Sequence, residues 1–256
     1  MKKKHRKKEN SYNIRGFRKG KYGIILLILF LCIILTSYFL LYTDHFKIGI
    51  IEVYGNEHVS KEEIIRLSNF NIGMNIFKFN REKVEENIKK NSFIKDVKIE
   101  RKLPDTIHIL ITEREITSIV SYKDGTFLYL DEDGVVMDDR ETLNSYNKPI
   151  ITGLENVSFA MGNPIKITPS WLRKSILESI SLLKKNYLIN KISEIHVLED
   201  HNIQLYTKDG SVINIGNSTI LKENIDFVKS FFSQHQSKII VDISHGGDPV
   251  YKPREN

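Results

Sequence analysis

The sequence predicts an α+β protein: one N-terminal transmembrane helix, then a β-α-α-β-β domain, then a mostly antiparallel β domain with two helices. Three observations predict it. Gly23–Tyr42 holds twenty residues without a charge, the length a helix needs to cross a bilayer's hydrocarbon core. Over 46–114, short capped helical segments are bracketed by stretches of period-two apolar alternation. Beyond about 116, alternating segments and turn pairs predominate around two apolar stripes of helical period.

The anchor comes first. A helix satisfies its own backbone hydrogen bonds, so it is the form a single apolar segment takes in lipid. Lys2, Lys3, Lys4, Arg6, Lys7, Lys8, Arg15, Arg18, Lys19 and Lys21 precede it, whereas Asp44 and then Lys47 follow. That bias places the N-terminus in the cytoplasm and the rest of the chain outside, as a single-pass type II protein. The rival reading is a cleaved signal peptide, which would end in small residues. This segment leaves through Tyr38-Phe39-Leu40-Leu41-Tyr42.

Charge is distributed unevenly. The chain carries 38 Lys/Arg and 32 Asp/Glu, but ten of the basic residues and one acid (Glu9) lie within the first 43 positions. The exported part is thus slightly acidic, which argues against a nucleic-acid surface there. The tail sets orientation, and lipid headgroups are within its reach. Cys32, inside the span, is the one cysteine. The exported part therefore has neither a disulfide nor a thiolate metal site, and its core must hold it together.

In the first domain, Phe46, Ile48, Ile50, Ile51 and Val53 read as a strand ending at the Gly55-Asn56 turn, with a sheet edge as its expected place. Ser60 with Glu63 forms a capping-box pattern ahead of Ile64, Ile65 and Leu67, and Asn71-Ile72-Gly73 breaks that helix. Asn80 caps a second helix with Val84 and Ile88 on one face. Val97 and Ile99, the Leu103-Pro104-Asp105 turn, and Ile107, Ile109 and Ile111 read as a hairpin with one buried face. In the second domain, Phe127 and Tyr129 lead through Asp133-Gly134 into Val135, Val136 and Met137 as a hairpin, and Lys148–Gly153 reads as an extended loop entry. Thr168-Pro169 opens a helix with the stripe Leu172, Ile176, Ile180 and Leu183, Pro taking the first helical position. Strands follow at 192–198, 203–206 and 212–215, then a helix carrying Leu221, Ile225, Val228 and Phe232, and a last strand over Ile239–Ile243. Trp171 and Tyr187 fall on the core or rim of the first of these helices.

No pattern points to chemistry. His45, His58, His108, His196, His201, His235 and His245 are scattered, and His5 is in the tail; none forms a zinc-type spacing with a third ligand. Asp131, Asp133, Asp138 and Asp139 lack the ladder of a calcium loop. No nucleophile elbow or phosphate loop occurs. The expectation is a binding scaffold with no catalytic residue, cofactor or metal.

The residues resemble a known family. Ile51-Glu52-Val53-Tyr54-Gly55-Asn56, Asn71–Phe77, Phe93–Ile99 running into Arg101–Thr106, and Glu113-Arg114-Glu115 are similar to a POTRA domain. Tyr129–Val135, Pro149-Ile150-Ile151-Thr152-Gly153 and Val241-Asp242-Ile243 are similar, in that order, to segments of the FtsQ/DivIB family of bacterial cell-division proteins. The resemblance covers about residues 1–251. It implies a divisome scaffold that binds two small coiled-coil membrane proteins, FtsB (DivIC in Gram-positive bacteria) and FtsL, and links them to the septal peptidoglycan synthase. It implies recruitment through the POTRA domain, around Ile51, Val53, Gly55 and Asn56. It also implies partner binding at the last strands, around Ile239, Val241, Ile243, Ser244, His245, Gly246, Gly247, Val250 and Tyr251. Ser244 stands where the family usually has Arg, and the Gly246-Gly247-Asp248-Pro249 stretch would shorten any pairing.

The organisation expected is a basic cytoplasmic tail (1–22), the span (23–43), a POTRA domain (44–115), a β domain (116–251) and a short tail (252–256). Two other readings stand beside the scaffold. One is an anchored cell-wall enzyme or regulator acting outside division, which a carboxylate pair or nucleophile on one rim would favour. The other is an outer-membrane-assembly module, which would bring repeated POTRA units and a barrel.

Overall fold

A computed structural model describes residues 16–143, 147–234, 238–245 and 247–253. The basic residues up to Arg15, with His5, and also His235 and Gly246, lie outside the described residues. Helix α1 spans Gly16–Tyr42, and Tyr22–Tyr42 within it is long and apolar enough to cross a membrane.

The first domain holds β1 (Ile50–Tyr54), α2 (Lys61–Ser68), α3 (Arg81–Ile88), β2 (Ile94–Lys102) and β3 (Thr106–Glu113). The sheet order is β1-β3-β2, with β1 parallel to β3 and β2 antiparallel to it. β1 is thus an edge strand. It starts later than the alternation suggests, because Asp44–Phe46 is a 3-10 turn and 46–48 instead bonds the loop segment 74–76. Phe46 and Ile48 reach the core from that segment, joining Ile64, Ile76, Ile88, Ile99, Ile107 and Ile109 beneath the two helices. Ser60 Oγ accepts from Glu63 N at 3.2 Å, as a capping box requires. The Glu63 carboxylate turns instead to Arg66, a charged donor one turn on, at 2.6 Å. α2 ends earlier than expected, because Asn69 takes a left-handed conformation (φ 55°) that its short polar side chain tolerates. Asn80 caps α3 by accepting from Lys83 N at 2.9 Å.

The second domain comprises β4 (Ser118–Ser121), β5 (Phe127–Leu130), β6 (Val136–Arg140), β7 (Ile150–Thr152), β8 (Val157–Ser158), β9 (Lys166–Ile167), α4 (Ser170–Lys185), β10 (Ile192–Val197), β11 (Ile203–Thr207), β12 (Val212–Gly216), α5 (Ser218–Glu223), α6 (Ile225–Gln234), β13 (Ile239–Asp242) and β14 (Val250–Pro253). A nine-stranded sheet runs β14-β13-β12-β11-β10-β7-β4-β5-β6, and β8-β9 is a separate small ladder. Most pairs are antiparallel; β12–β13, β10–β7 and β4–β7 are parallel. The stretch expected as a loop entry is therefore an interior strand, β7, whose Ile151 is buried between two neighbours.

The helices lie on one face of this sheet. Leu172, Ile176, Ile180 and Leu183 are all buried there, each gaining about 1.5–3 kcal/mol from leaving water. Pro169 takes the cap position, and α4 begins at Ser170. The helix expected around Leu221–Phe232 is two. Asn224 leaves helical geometry (φ −104°, ψ 16°) and its Nδ2 bonds back to Ile220 O at 3.0 Å, breaking the rod. Trp171 is 52% exposed and Tyr187 89%, so neither belongs to the core.

The domains meet along β2, the linker and the β5–β6 turn. Asp131, buried, accepts from Asp133 N at 2.9 Å, from Val135 N at 2.8 Å and from Arg114. Ser92 Oγ donates to Met137 O at 2.6 Å, and Lys95 reaches Glu132 at 2.6 Å. Glu132 and Asp133 together hold the Lys95 ammonium above its usual pKa.

Candidate interaction site

Two sheet edges carry the residues singled out from the sequence. At the far edge of the large sheet, β14 pairs antiparallel with β13, Val241 opposite Tyr251 and Asp242 opposite Val250. β13 is consequently interior, and Val241 and Ile243 are wholly buried. Ile239 packs part-buried against the same core. The accessible strand is β14: Val250 is 45% and Tyr251 48% exposed, and no strand lies on its outer side among the described residues. Its two anchoring side chains face opposite ways. Tyr251 meets the Phe227 ring of α6 at 6.2 Å. Val250 stands on the helix-free face, over Asn214 and Asp242.

A polar turn joins the two strands. Asp242 Oδ1 accepts from Ser244 N at 2.9 Å and from Ser244 Oγ at 2.7 Å, while Oδ2 accepts from Asn214 Nδ2 at 3.3 Å. Burial alone would raise the Asp242 carboxyl; the Ser244 and Asn214 donors and the charge of nearby His245 outweigh it and hold the pKa low. Ser244 is therefore a turn-closing residue. His245 Nδ1 accepts from Gly247 N at 3.1 Å. Gly246 lies outside the described residues. Sequence reasoning missed β14 because Pro249 and the polar C-terminus read as a stop. The signal available was Val250-Tyr251, a β-branched and aromatic pair.

At the β1 edge, Ile51 and Val53 pack part-buried against the first core. β1 turns Ile50, Glu52 and Tyr54 outward. Glu52 Oε2 accepts from the Tyr54 phenol at 2.7 Å and meets His108 Nε2 at 2.8 Å. That bond to a carboxylate raises the Tyr54 pKa. Gly55 has φ +80°, and a Cβ there would sit 2.2 Å from Ile111 O, so only glycine fits the turn. Asn56 Nδ2 donates to Val59 O at 3.0 Å. Behind the turn, Glu113 gathers Glu57 N, His58 N and Val59 N, each at 2.9 Å, and pins the residues that follow β1.

A third place bears on catalysis. Thr152 Oγ1 lies 2.5 Å from Glu194 Oε1 and 2.7 Å from His196 Nδ1, on the helix-free sheet face beside an open groove of about 780 Å³. The imidazole and carboxylate are 3.7 Å apart. In a nucleophile–base–acid relay the carboxylate bonds the imidazole's far nitrogen. Here the Thr152 hydroxyl donates to Glu194 while His196 Nδ1 meets the same hydroxyl oxygen, so carboxylate and imidazole both lie against one hydroxyl, the arrangement of a cross-strand polar cluster. Among the described residues no three His, Cys, Asp or Glu side chains gather to hold an ion.

Comparison with known proteins identifies both domains. Residues 46–114 match the POTRA domain, FtsQ-type, and residues 119–243 match the C-terminal region of cell division protein FtsQ/DivIB. Cell division protein DivIB of Clostridium acetobutylicum is 29% identical, over 86% of this chain and 88% of its own length. DivIB of Clostridium botulinum (strain Hall) is 28% identical over 93% of each. Cell division protein FtsQ of Syntrophotalea carbinolica is 30% identical over 66% of this chain and 59% of its own length. The match ends at Ile243, so the second family region stops where the turn into β14 begins.

Proposed function

This chain belongs to the FtsQ/DivIB family of cell division proteins, and from that premise we propose that it is a non-catalytic scaffold of the divisome whose β14 edge takes a strand from a coiled-coil partner. The partners are FtsB/DivIC-like and FtsL-like proteins, and through them the chain connects to septal peptidoglycan synthesis. The N-terminus is cytoplasmic, and the two domains, taken as 44–115 and 116–251, stand outside the membrane at the septum. Two separate buried clusters support that division of the chain.

The carrying observation is the exposed β14 at the end of a nine-stranded sheet. An edge strand offers a row of backbone donors and acceptors that an incoming strand satisfies, while side chains in alternate positions select the sequence. Val250 and Tyr251 supply the apolar contacts. Pro253 cannot donate, so pairing is short and starts nearer Val250. The β1 edge, with Glu52, Tyr54 and His108, is the recruitment face.

The test is binding of the full chain in detergent to an FtsB/DivIC-like partner. Ile243 N bonds Asn214 O across β12, so Asp242 and Val250 face each other's backbone groups and the outward donor of β14 is Tyr251 N–H. Tyr251→Pro removes that donor and Tyr251→Asp places a charge in the contact. Both are expected to weaken binding at least tenfold while thermal unfolding changes little, because Tyr251 is half-exposed on the outermost strand. Unaltered binding by both variants would rule out the β14 edge.

A further inference from the structure

The first domain is not hung on a free linker; it is bonded to the end of α1. Asn75, only 8% exposed, donates from Nδ2 to Leu40 O at 2.9 Å and Leu41 O at 3.2 Å. Its Oδ1 accepts from Phe77 N at 2.9 Å. Thr43 N and Thr43 Oγ1 both donate to Phe39 O, at 3.3 and 2.6 Å. Leu40 O and Leu41 O, two of the carbonyls that a helix end leaves without partners, are thus satisfied from the first domain. Phe39 meets Phe46 edge to face at 5.7 Å, and Leu40 packs against the first core.

This joint fixes the height of the domain over the bilayer. Tyr22–Tyr42 is 21 residues, about 32 Å of helix, against a hydrocarbon core of about 30 Å. Tyr42 then sits at the headgroup boundary, where tyrosine is favoured, stacked on Tyr38 at 5.2 Å. Lys78, carried there by the same 75–78 turn, holds its ammonium 4.5 Å over the Tyr42 ring. No carboxylate pairs with Lys78 among the described residues; Asp44 is taken by Lys47 at 2.7 Å.

We propose that Lys78 and Tyr42, positioned by Asn75, form a seat for the phosphate of an anionic phospholipid, so that the first domain rests on the outer leaflet. The occupant is argued from continuity: if α1 spans, as the proposed function holds, the leaflet lies against this surface. With no carboxylate on it among the described residues, the ammonium over the ring has donors left for phosphate oxygens.

The experiment is hydrogen exchange of the full chain in nanodiscs of phosphatidylcholine, with and without phosphatidylglycerol. Phosphatidylglycerol is expected to slow exchange over 73–79 about fivefold, the factor one lysine gains at an anionic surface. Lys78→Arg keeps the effect and Lys78→Glu loses it. Equal exchange in both lipids, or a Lys78→Glu chain that still responds, would overturn the proposal. So would inorganic phosphate giving the same slowing on phosphatidylcholine discs, which would mark a soluble-anion site. Exchange over 24–41 separates the two claims: slow there but unresponsive over 73–79 refutes the seat alone, whereas fast exchange there refutes the span as well.

Discussion

Replacing Glu113 by alanine is expected to destabilise the first domain by about 3 kcal/mol. The Glu113 side chain is 8% exposed and accepts from three consecutive backbone N–H groups, of Glu57, His58 and Val59, plus the His58 ring at 2.9 Å. The Val59 bond is part-buried, and its loss costs about 1.5–3 kcal/mol for a charge-assisted bond whose donor is left unsatisfied. The Glu57 and His58 donors are exposed, so water replaces the carboxylate there at about 0.5 kcal/mol each. Glu113→Gln keeps an acceptor oxygen and loses the charge, for about 1 kcal/mol. Burial alone would raise this carboxyl's pKa, but the converging N–H groups hold it below the usual value. A depressed carboxyl contributes stability fully above the unfolded pKa of about 4.3 and loses it as pH falls through the folded value. Urea unfolding of residues 44–256 at neutral and acid pH reads both effects. The gap between the parent and Glu113→Gln is expected to close in acid. An alanine variant as stable as the parent, or a gap that persists in acid, would refute the reasoning.

Other expectations follow from the same geometry. Gly55→Ala forces a Cβ to 2.2 Å from Ile111 O at φ +80°, so recruitment through β1 and first-domain stability are both expected to fall, by more than about 1 kcal/mol in unfolding. Asp131→Ala strands the Arg114 guanidinium in a site where it is 15% exposed; calorimetry is expected to show a loss of about 3–5 kcal/mol, and Arg114→Met with Asp131→Leu a smaller one. Val241→Asp is expected to unfold the second domain outright, because Val241 is fully buried, in contrast to the binding-only effect of Tyr251→Asp; equal behaviour of the two in circular dichroism melts would contradict the placement of β14 outside β13.

Much of this fold was legible because its elements are local. The Ser60 and Asn80 caps, the 97–111 hairpin and the α4 stripe each depend on residues close in sequence, and each forms. What escaped depends on distant partners. β7 is three residues long and becomes a strand only because β4 and β10 flank it. Asn224 breaks a helix whose apolar stripe runs on through the break. The same limit applies to the sites. The family resemblance pointed to residues from Ile239 to Tyr251 without ranking them; burial takes Val241 and Ile243 into the core and leaves Val250 and Tyr251 accessible. On β1 the alternation located the edge, while the outward phase is Ile50, Glu52 and Tyr54. Asn75 carried no signal at all, since its partners are carbonyls some 35 positions earlier.

The central claim is that this chain serves the division apparatus, and the most direct measurement is imaging in dividing cells with a fluorescent protein fused ahead of Met1. A band at mid-cell that forms before constriction is the predicted result. A uniform membrane outline throughout the cycle, from a fusion shown to be functional, would contradict it.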